Sequence, residues 1–426
     1  MRKCSIKNDK TSFYGAIMKI VDLFSGAGGL TFGFYYKLVG ENFCRTNNEF
    51  IFANEYSVAA AEAFKKNFSD INMQNIDIRE LTEKKIESLI AGKSIDLIVG
   101  GPPCQSFSTV GQRRFDDKAK LYEEYLRILK IVRPKMFLFE NVKGLLSMRE
   151  IFYETDSDGK IKYNEEKTSR NGKVIVKKKP IVTGYGDLII EKIKNQFAEI
   201  SNDFGYEIYY KILNAVDFGV PQYRERVFII GIRKDLKLNW DWDFGINSSA
   251  KITIEEAISD FPALHEDESI TEYNITPKNA YQMLMRKNSN SITQHFCGHY
   301  GDKIRTVIEN VKQGQGKNDF NLLVDKGLID EKYRLTSGYH NTYGRLIANQ
   351  PSTTITNNLC TPSGLRCIHY EQNRTLTPRE GARIQSFPDW FEFYGTRTAV
   401  TKQIGNAVPP LLAMVIARKI EQIVGG

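Results

Sequence analysis

Lys19-Ile-Val-Asp22-Leu-Phe24-Ser-Gly26-Ala-Gly28-Gly29 is a short apolar run that ends in three glycines within four residues. A strand over residues 19–24, a glycine turn and a following helix form the opening of an α/β unit. Glycines at such a turn let backbone approach a ligand without a Cβ clash, and the helix start offers unpaired N–H groups. The third glycine of the dinucleotide fingerprint is missing, because Thr31 stands in its place. At this point a plain packing turn competes with a ligand loop.

Outward from that turn, strand and helix patterns alternate. Residues 51–55, 95–101, 136–142 and 226–233 read as short buried strands, with a further strand expected around Asn75–Ile78. Residues 58–68, 121–132 and 188–197 read as amphipathic helices between them. The pattern predicts an α/β fold, a doubly wound, Rossmann-like, mostly parallel sheet. Two regions break it. Residues 151–184 are hydrophilic, carry the run Lys177-Lys178-Lys179, and read as a solvated surface insertion or hairpin. From 240 to 374 the alternation gives way to short strands, polar loops and aromatics, which predicts a second, smaller irregular domain. Residues 375–426 return to helical patterns and to the first domain, which spans 18–239; residues 1–17 form a leader with no assigned role.

Composition limits the function. A chain of 426 residues has room for one large core and a smaller domain. Its longest apolar runs are far too short to span a bilayer, and no secretory h-region follows the N-terminus, so a cytoplasmic protein is expected. Six scattered cysteines without a Cys-x-x-Cys pair suit reduced thiols. A formal charge of +8 permits a polyanionic partner but does not demand one. The cluster His295-Phe-Cys297-Gly-His299 reads as loop packing, and no metal is expected.

Two sets of residues carry chemistry. Glu55, closing the second strand, can accept ribose hydroxyls, and Asp77 can accept an adenine amino group; with Asp22, Gly26 and Gly28 they outline an adenosine pocket. Nicotinamide and methyl-donor cofactors both fit that much. The strand over 95–101 runs into Pro102-Pro103-Cys104-Gln105-Ser106, placing a thiol where open α/β sheets bind substrates. The next strand ends in Glu140-Asn141-Val142. If these two strands are neighbours, thiol and carboxyl lie side by side, suited to adding a thiolate to C6 of a pyrimidine while an acid protonates N3. Burial would have to raise the Glu140 pKa for that role. Arg224 and Arg226, at alternating positions, are expected on one face to hold a base carbonyl and a phosphate.

In this order, residues 22–29, Glu55, Asp77, 100–108, 140–142, 222–226, 377–388 and 403–410 resemble the C5-cytosine-specific DNA methyltransferases of bacterial restriction-modification systems. The resemblance covers roughly residues 18–423 and is weak over 151–184 and 240–340. It departs at Asp77, where Asn-Ile-Asp stands in place of the commoner Gly-Asp. It implies S-adenosylmethionine as cofactor, with Phe24 on the adenine, Glu55 and the adjacent Tyr56 at the ribose, and Asp77 with Ile78 at the adenine edge. Pro102, Leu121, Asn406 and Val408 would line the rest of that pocket. It implies Cys104 as nucleophile, Glu140 as N3 partner and Arg226 as the contact to cytosine O2. Residues 104–120, with Gln105 and Ser108, would close over a flipped base. Residues 240–374 would be the target-recognition domain, with Thr354 and Ile355 near the flipped nucleotide. Arg286, Lys287, Arg305, Arg334 and Arg345, among Tyr281, Tyr300, Tyr339 and Tyr343, are candidates for phosphates and base edges. Double-stranded DNA is the implied partner of a monomer, alongside a cognate restriction endonuclease. Three rivals stand beside this reading. A tRNA cytosine-5 methyltransferase would share the pocket, cysteine and glutamate, but the long recognition segment argues against it. An oxidoreductase leaves Pro-Pro-Cys-Gln and Glu-Asn-Val without a purpose. A catalytically dead DNA-binding protein would not need the intact thiol and carboxyl.

Overall fold

The computed structural model describes residues 17–103, 121–170, 173–200, 205–246 and 250–425. Its centre is a seven-stranded sheet. The strands are β1 (Lys19–Leu23), β2 (Glu49–Asn54), β3 (Met73–Gln74), β4 (Leu97–Gly100), β5 (Met136–Val142), β6 (Tyr206–Asn214) and β7 (Glu225–Arg233). Their spatial order is β6-β7-β5-β4-β1-β2-β3. The strands from β3 across to β5 are parallel, and β7 runs antiparallel to both β5 and β6. The winding reverses on either side of β1, so the crevice beyond the carboxyl ends of β1 and β4 is the natural ligand site.

Strands β4, β5 and β7 read as largely apolar runs because both faces of the sheet are covered there, whereas the edge strand β6 carries exposed Glu207 and Lys211. On one face Ile20, Val99, Leu138 and Ile230 pack with Phe32 of α1 (Gly29–Tyr35) and Leu412 and Ile416 of α8 (Pro410–Gly425). On the other, Val21, Ile98, Phe137, Phe139 and Ile229 meet Ile86 of α3 (Glu83–Ile90) and Leu129 of α4 (Leu121–Val132). Phe197 of α5 (Ile189–Ala198) lies on that second face, edge-on to Phe137. The remaining helices labelled are α2 (Val58–Asn67), α6 (Pro378–Ile384) and α7 (Arg397–Asn406). Gly33 explains why the C-terminal helix is integral to the core. A Cβ there would lie 2.3 Å from the Ala413 carbonyl carbon, so α1 and α8 touch backbone to backbone.

The strand expected around Asn75–Ile78 ends at Gln74, and Asp77 instead caps a 3-10 turn over Ile78–Glu80. Between 240 and 374 short helices replace most of the expected strands: Ile254–Ile258, Ala280–Arg286, Asp302–Asn310 and Lys317–Asp325. Their caps were legible, since Thr253 and Glu256 form a capping box and Asn279 caps the second helix. Residues up to Ile292 pack into the large core, whereas Val307, Val311, Phe320, Val324 and Leu335 form a cluster of their own. The 151–184 segment is built of strands, Arg149–Tyr153 with Val182–Leu188 and Tyr163–Arg170 with Lys173–Pro180.

Candidate active site

Strands β4 and β5 are parallel neighbours, with Gly100 opposite Phe139. The next residue, Gly101, lies against the Glu140 side chain: a Cβ on it would come within 2.8 Å of Glu140 Oε2. Asn141 ties the two strand ends together through Nδ2 to the Pro102 carbonyl at 3.4 Å, a role not visible in the sequence. The described chain reaches Pro103, and Cys104, Gln105 and Ser108 lie outside the described residues.

Glu140 is 9 % exposed, and Arg226 Nε lies 3.2 Å from its Oε1. Burial pushes the Glu140 carboxyl above the usual carboxylate range, and the Arg226 and Arg224 cations pull back only in part. That is the direction an acid needs to keep its proton near neutrality. Arg226 sits on β7 opposite Val142 of β5, so the antiparallel strand brings its guanidinium to the parallel edge.

Arg224 does something else. It is 1 % exposed, precedes the strand proper, and donates to the carbonyls of Ile355 and Gly405, each at 3.0 Å. Gln222 accepts from the Ile355 N–H at 2.9 Å and donates to Gln385 at 2.6 Å. The expectation that Arg224 shares a ligand-facing surface with Arg226 is therefore corrected. It is a brace joining three distant segments, because a buried guanidinium needs acceptors and main-chain carbonyls supply them.

At the cofactor end, Phe24 has a left-handed φ of 57° and is half-buried, held where β1 turns into the glycines. Gly28 has φ 97°, and a Cβ there would strike the Phe68 ring at 2.2 Å. Glu55 Oε2 accepts from Gly26 N at 2.9 Å and Oε1 from Ser57 N at 2.7 Å, and the Tyr56 N–H also acts on the carboxylate. Burial raises its pKa against those donors. Ile78 is buried and Asp77 half-buried beside it, while Tyr56 is exposed. Val408 arrives from the C-terminal segment, its carbonyl packed on Gly29; Asn406, two residues before, is exposed. Pro102 is buried at the end of β4, and Leu121 is partly buried where α4 begins. Asp22 is fully buried, bonded by Thr31, and pushed up to about 8 chiefly by desolvation.

The family model described as C-5 cytosine-specific DNA methylase matches residues 18–156 and 185–422. The chain belongs to that family. It is a DNA cytosine-5 methyltransferase. The type II methyltransferase M.DdeI of Desulfomicrobium norvegicum is 32 % identical over 95 % of this chain and 88 % of its own length. The type II methyltransferase M1.HphI of Haemophilus parahaemolyticus is 31 % identical over 96 % and 88 %. A crystal structure described as a DNA modification methyltransferase encoded within an E. coli prophage shares the fold. Its TM-score is 0.66 at 22 % identity, covering 96 % of this chain and 100 % of the other. Among the described residues no helix of the methylase is long and apolar enough to cross a membrane.

The methylase uses Arg345 and Arg286 within its own fold, whereas Arg305 and Arg334 sit in partly exposed ion pairs. Arg345 is 5 % exposed and donates to the carbonyls of Val311, Ile308, His369 and Gln372 and to Asn373 Oδ1. It is a structural residue, and the DNA contact expected of it is corrected. Arg305 holds Glu266, Arg286 stacks on Tyr273 beside Asp260, and Arg334 pairs with Asp325 and Glu331. Lys287 lies near Glu41. Tyr281, Tyr300 and Tyr343 are buried, whereas Tyr339 is exposed. Ile355 is 3 % exposed, so its side chain supports the segment from beneath, while Thr354 Oγ1 donates to the Tyr223 carbonyl at 2.7 Å. His295 engages Thr377 Oγ1 and the Pro262 carbonyl through its two ring nitrogens.

Proposed function

We propose that the methylase acts on a cytosine rotated out of a specific duplex sequence, with Cys104 as nucleophile, Glu140 as N3 partner and Arg226 at O2. The observation that carries this reading is a buried carboxyl of raised pKa, one guanidinium beside it, at the strand end adjoining the one that leads to Cys104. The Cys104 thiolate forms a bond to C6 while Glu140 keeps a proton at N3, and the displaced π electrons enrich C5. When the C5 proton later leaves, the C6–S bond breaks and the ring double bond returns. Both faces of the ring must be reached, so the base leaves the stack, at a cost on the order of a few kcal/mol offset by phosphate contacts and a close pocket.

S-adenosylmethionine is the donor in this reading, supplying an electrophilic methyl on a sulfonium. The residues present fit it. Gly26 is open on the side a Cβ would occupy, and the Glu55 carboxylate is held beside it by the Gly26 N–H. Among the described residues Asp22 Oδ1 has no hydrogen-bond partner. Phe24, Tyr56, Asp77, Ile78, Pro102, Leu121, Asn406 and Val408 would enclose the adenosine. Residues 240–374 would recognise the target, with Thr354, Gln105 and Ser108 at the DNA. We place the enzyme as a cytoplasmic monomer beside a restriction endonuclease of the same specificity.

Duplex DNA carrying 5-fluorocytosine at the target should trap a denaturation-resistant adduct, because that C5 substituent cannot leave as a proton. Cys104→Ala should abolish both adduct and methylation while DNA binding persists. Near-normal turnover in Cys104→Ala, or transfer to purified tRNA in preference to duplex DNA, would sink the reading.

A further inference from the structure

The family match stops at residue 156 and resumes at 185, so it leaves out residues 157–184. That insert holds eight Lys or Arg against three Asp or Glu, a formal +5 in a chain whose total is +8. Most of the protein's positive excess therefore sits on a segment the shared fold does not need.

The insert is a built projection. Tyr163–Arg170 pairs with Lys173–Pro180 across eight residues in continuous register. The two residues between them are Asn171-Gly172, the dipeptide favoured in the tightest hairpin turns. At ~3.4 Å per residue the paired strands extend about 25 Å. The base is anchored on the catalytic edge. β5 delivers Glu140, ends at Val142, and passes through a 3-10 turn with buried Leu145 into Arg149–Tyr153. Glu150 at that base is paired with Lys192 and within electrostatic reach of Tyr122, in the first turn of α4. The arm thus leaves the molecule between the strand that carries Glu140 and the helix that follows residues 104–120.

Lys178 and Lys179 reach Glu165 and Glu166 across the hairpin at 3.4 Å and 2.8 Å. All four side chains are half or more exposed, a setting in which solvent and salt screen pairing heavily, so a phosphate can displace either glutamate. Tyr163, also exposed, offers a hydroxyl to the same kind of acceptor.

We propose that this arm is a second, sequence-independent DNA clamp that lies along the phosphate backbone of the duplex flanking the target cytosine. It rests on the reading above, that duplex DNA enters at the Glu140 edge. A contact of this kind raises affinity for all sequences alike and leaves base discrimination to the rest of the protein.

The main-chain bond from Ile181 N to the Lys162 carbonyl, at 3.0 Å, shows where the arm can be cut cleanly. Replacing residues 163–180 by Asn-Gly should lower the slope of log K against log salt by about two to four and weaken target and unrelated duplexes equally, about tenfold near 0.1 M salt. Methylation at saturating DNA should stay at the wild-type rate. Changing Lys177, Lys178 and Lys179 together to Gln, with the hairpin retained, should lower the slope by about one to two. An unchanged slope in both variants overturns the proposal. So does a truncation that leaves the slope intact and converts a dimer to a monomer in sedimentation, which would make the arm a self-association surface. A wild-type protein that binds duplex with a steep salt dependence yet methylates nothing would fail the cytosine chemistry alone, leaving the clamp standing.

Discussion

Glu140 and Glu380 are both buried glutamates facing arginine, yet they are driven in opposite directions. Glu140 meets one guanidinium nitrogen at 3.2 Å, and burial wins, raising its pKa. Glu380 receives both terminal nitrogens of Arg374, at 2.6 Å and 2.8 Å, and the Thr377 N–H, so its carboxylate is held well below the usual range. Among the described residues the first carboxyl meets a single guanidinium at a strand end, and the second is saturated inside the capping box of α6. Arg383 continues that saturated region with Asp260 and Asp389. Buried charge that is fully paired becomes scaffold, and buried charge left short of donors keeps a proton it can use.

The contrast predicts separate losses. Glu140→Gln should slow methylation ~10²–10⁴-fold in single turnovers and move the urea midpoint little, because the amide keeps the contact to Arg226 while the acid is lost. Glu380→Gln should leave chemistry largely intact in the folded fraction and cost about 3–5 kcal/mol of stability, the penalty for stranding a buried partner. If the stability loss fell on Glu140 and the rate loss on Glu380, the distinction would be wrong. Arg345→Met removes the donors to four carbonyls and an amide oxygen, and at ~1–3 kcal/mol for each group left unsatisfied should cost several kcal/mol in total. Bisulfite mapping of that variant should show an unaltered target, and relaxation at a single base pair would return Arg345 to the DNA.

Smaller effects sharpen the same point through pH. A neutral Glu140 is needed, so the methylation rate should fall as pH rises through its raised pKa. Arg226 lowers that pKa, hence Arg226→Gln should move the alkaline limb upward; a downward shift would contradict the pairing. Asp22, pushed from 3.8 to about 8, binds its proton more tightly folded than unfolded. Its contribution to stability is complete below about pH 3.8, declines above it, and is gone once pH passes about 8. Asp22→Asn should flatten the melting temperature by a few degrees across that window, as read by thermal scans from pH 5 to 8.

Much of this was readable before any coordinates. The apolar runs that became β4, β5 and β7, and β1 around its buried Asp22, are short and bounded by glycine, proline or charge, because strands covered on both faces need no polar alternation. Glu140 was recognisable from Glu-Asn-Val after a strand, and its raised pKa was required by the chemistry before burial supplied it. The region from 240 to 374 was harder. Its helices run only five to nine residues, too short for periodicity to stand out, and only the first two carry a side-chain N-cap. Its arginines were assigned to DNA because charge in a sequence looks the same whether it will face solvent or carbonyls.

Local order along the chain was enough to determine the alternation of strands and helices before residue 240 and the glycine turn, and to nominate Cys104 and Glu140 as the reacting groups. Those depend on residue type and near neighbours. Tertiary structure alone decided that β4 and β5 are adjacent, that Arg226 meets Glu140 from an antiparallel strand, and that Arg224 and Arg345 are braces. The reason is desolvation: whether a charge is reactive or structural depends on how many donors and acceptors remain to it once water is removed, and those come from segments distant in the sequence, for Arg224 more than a hundred residues away.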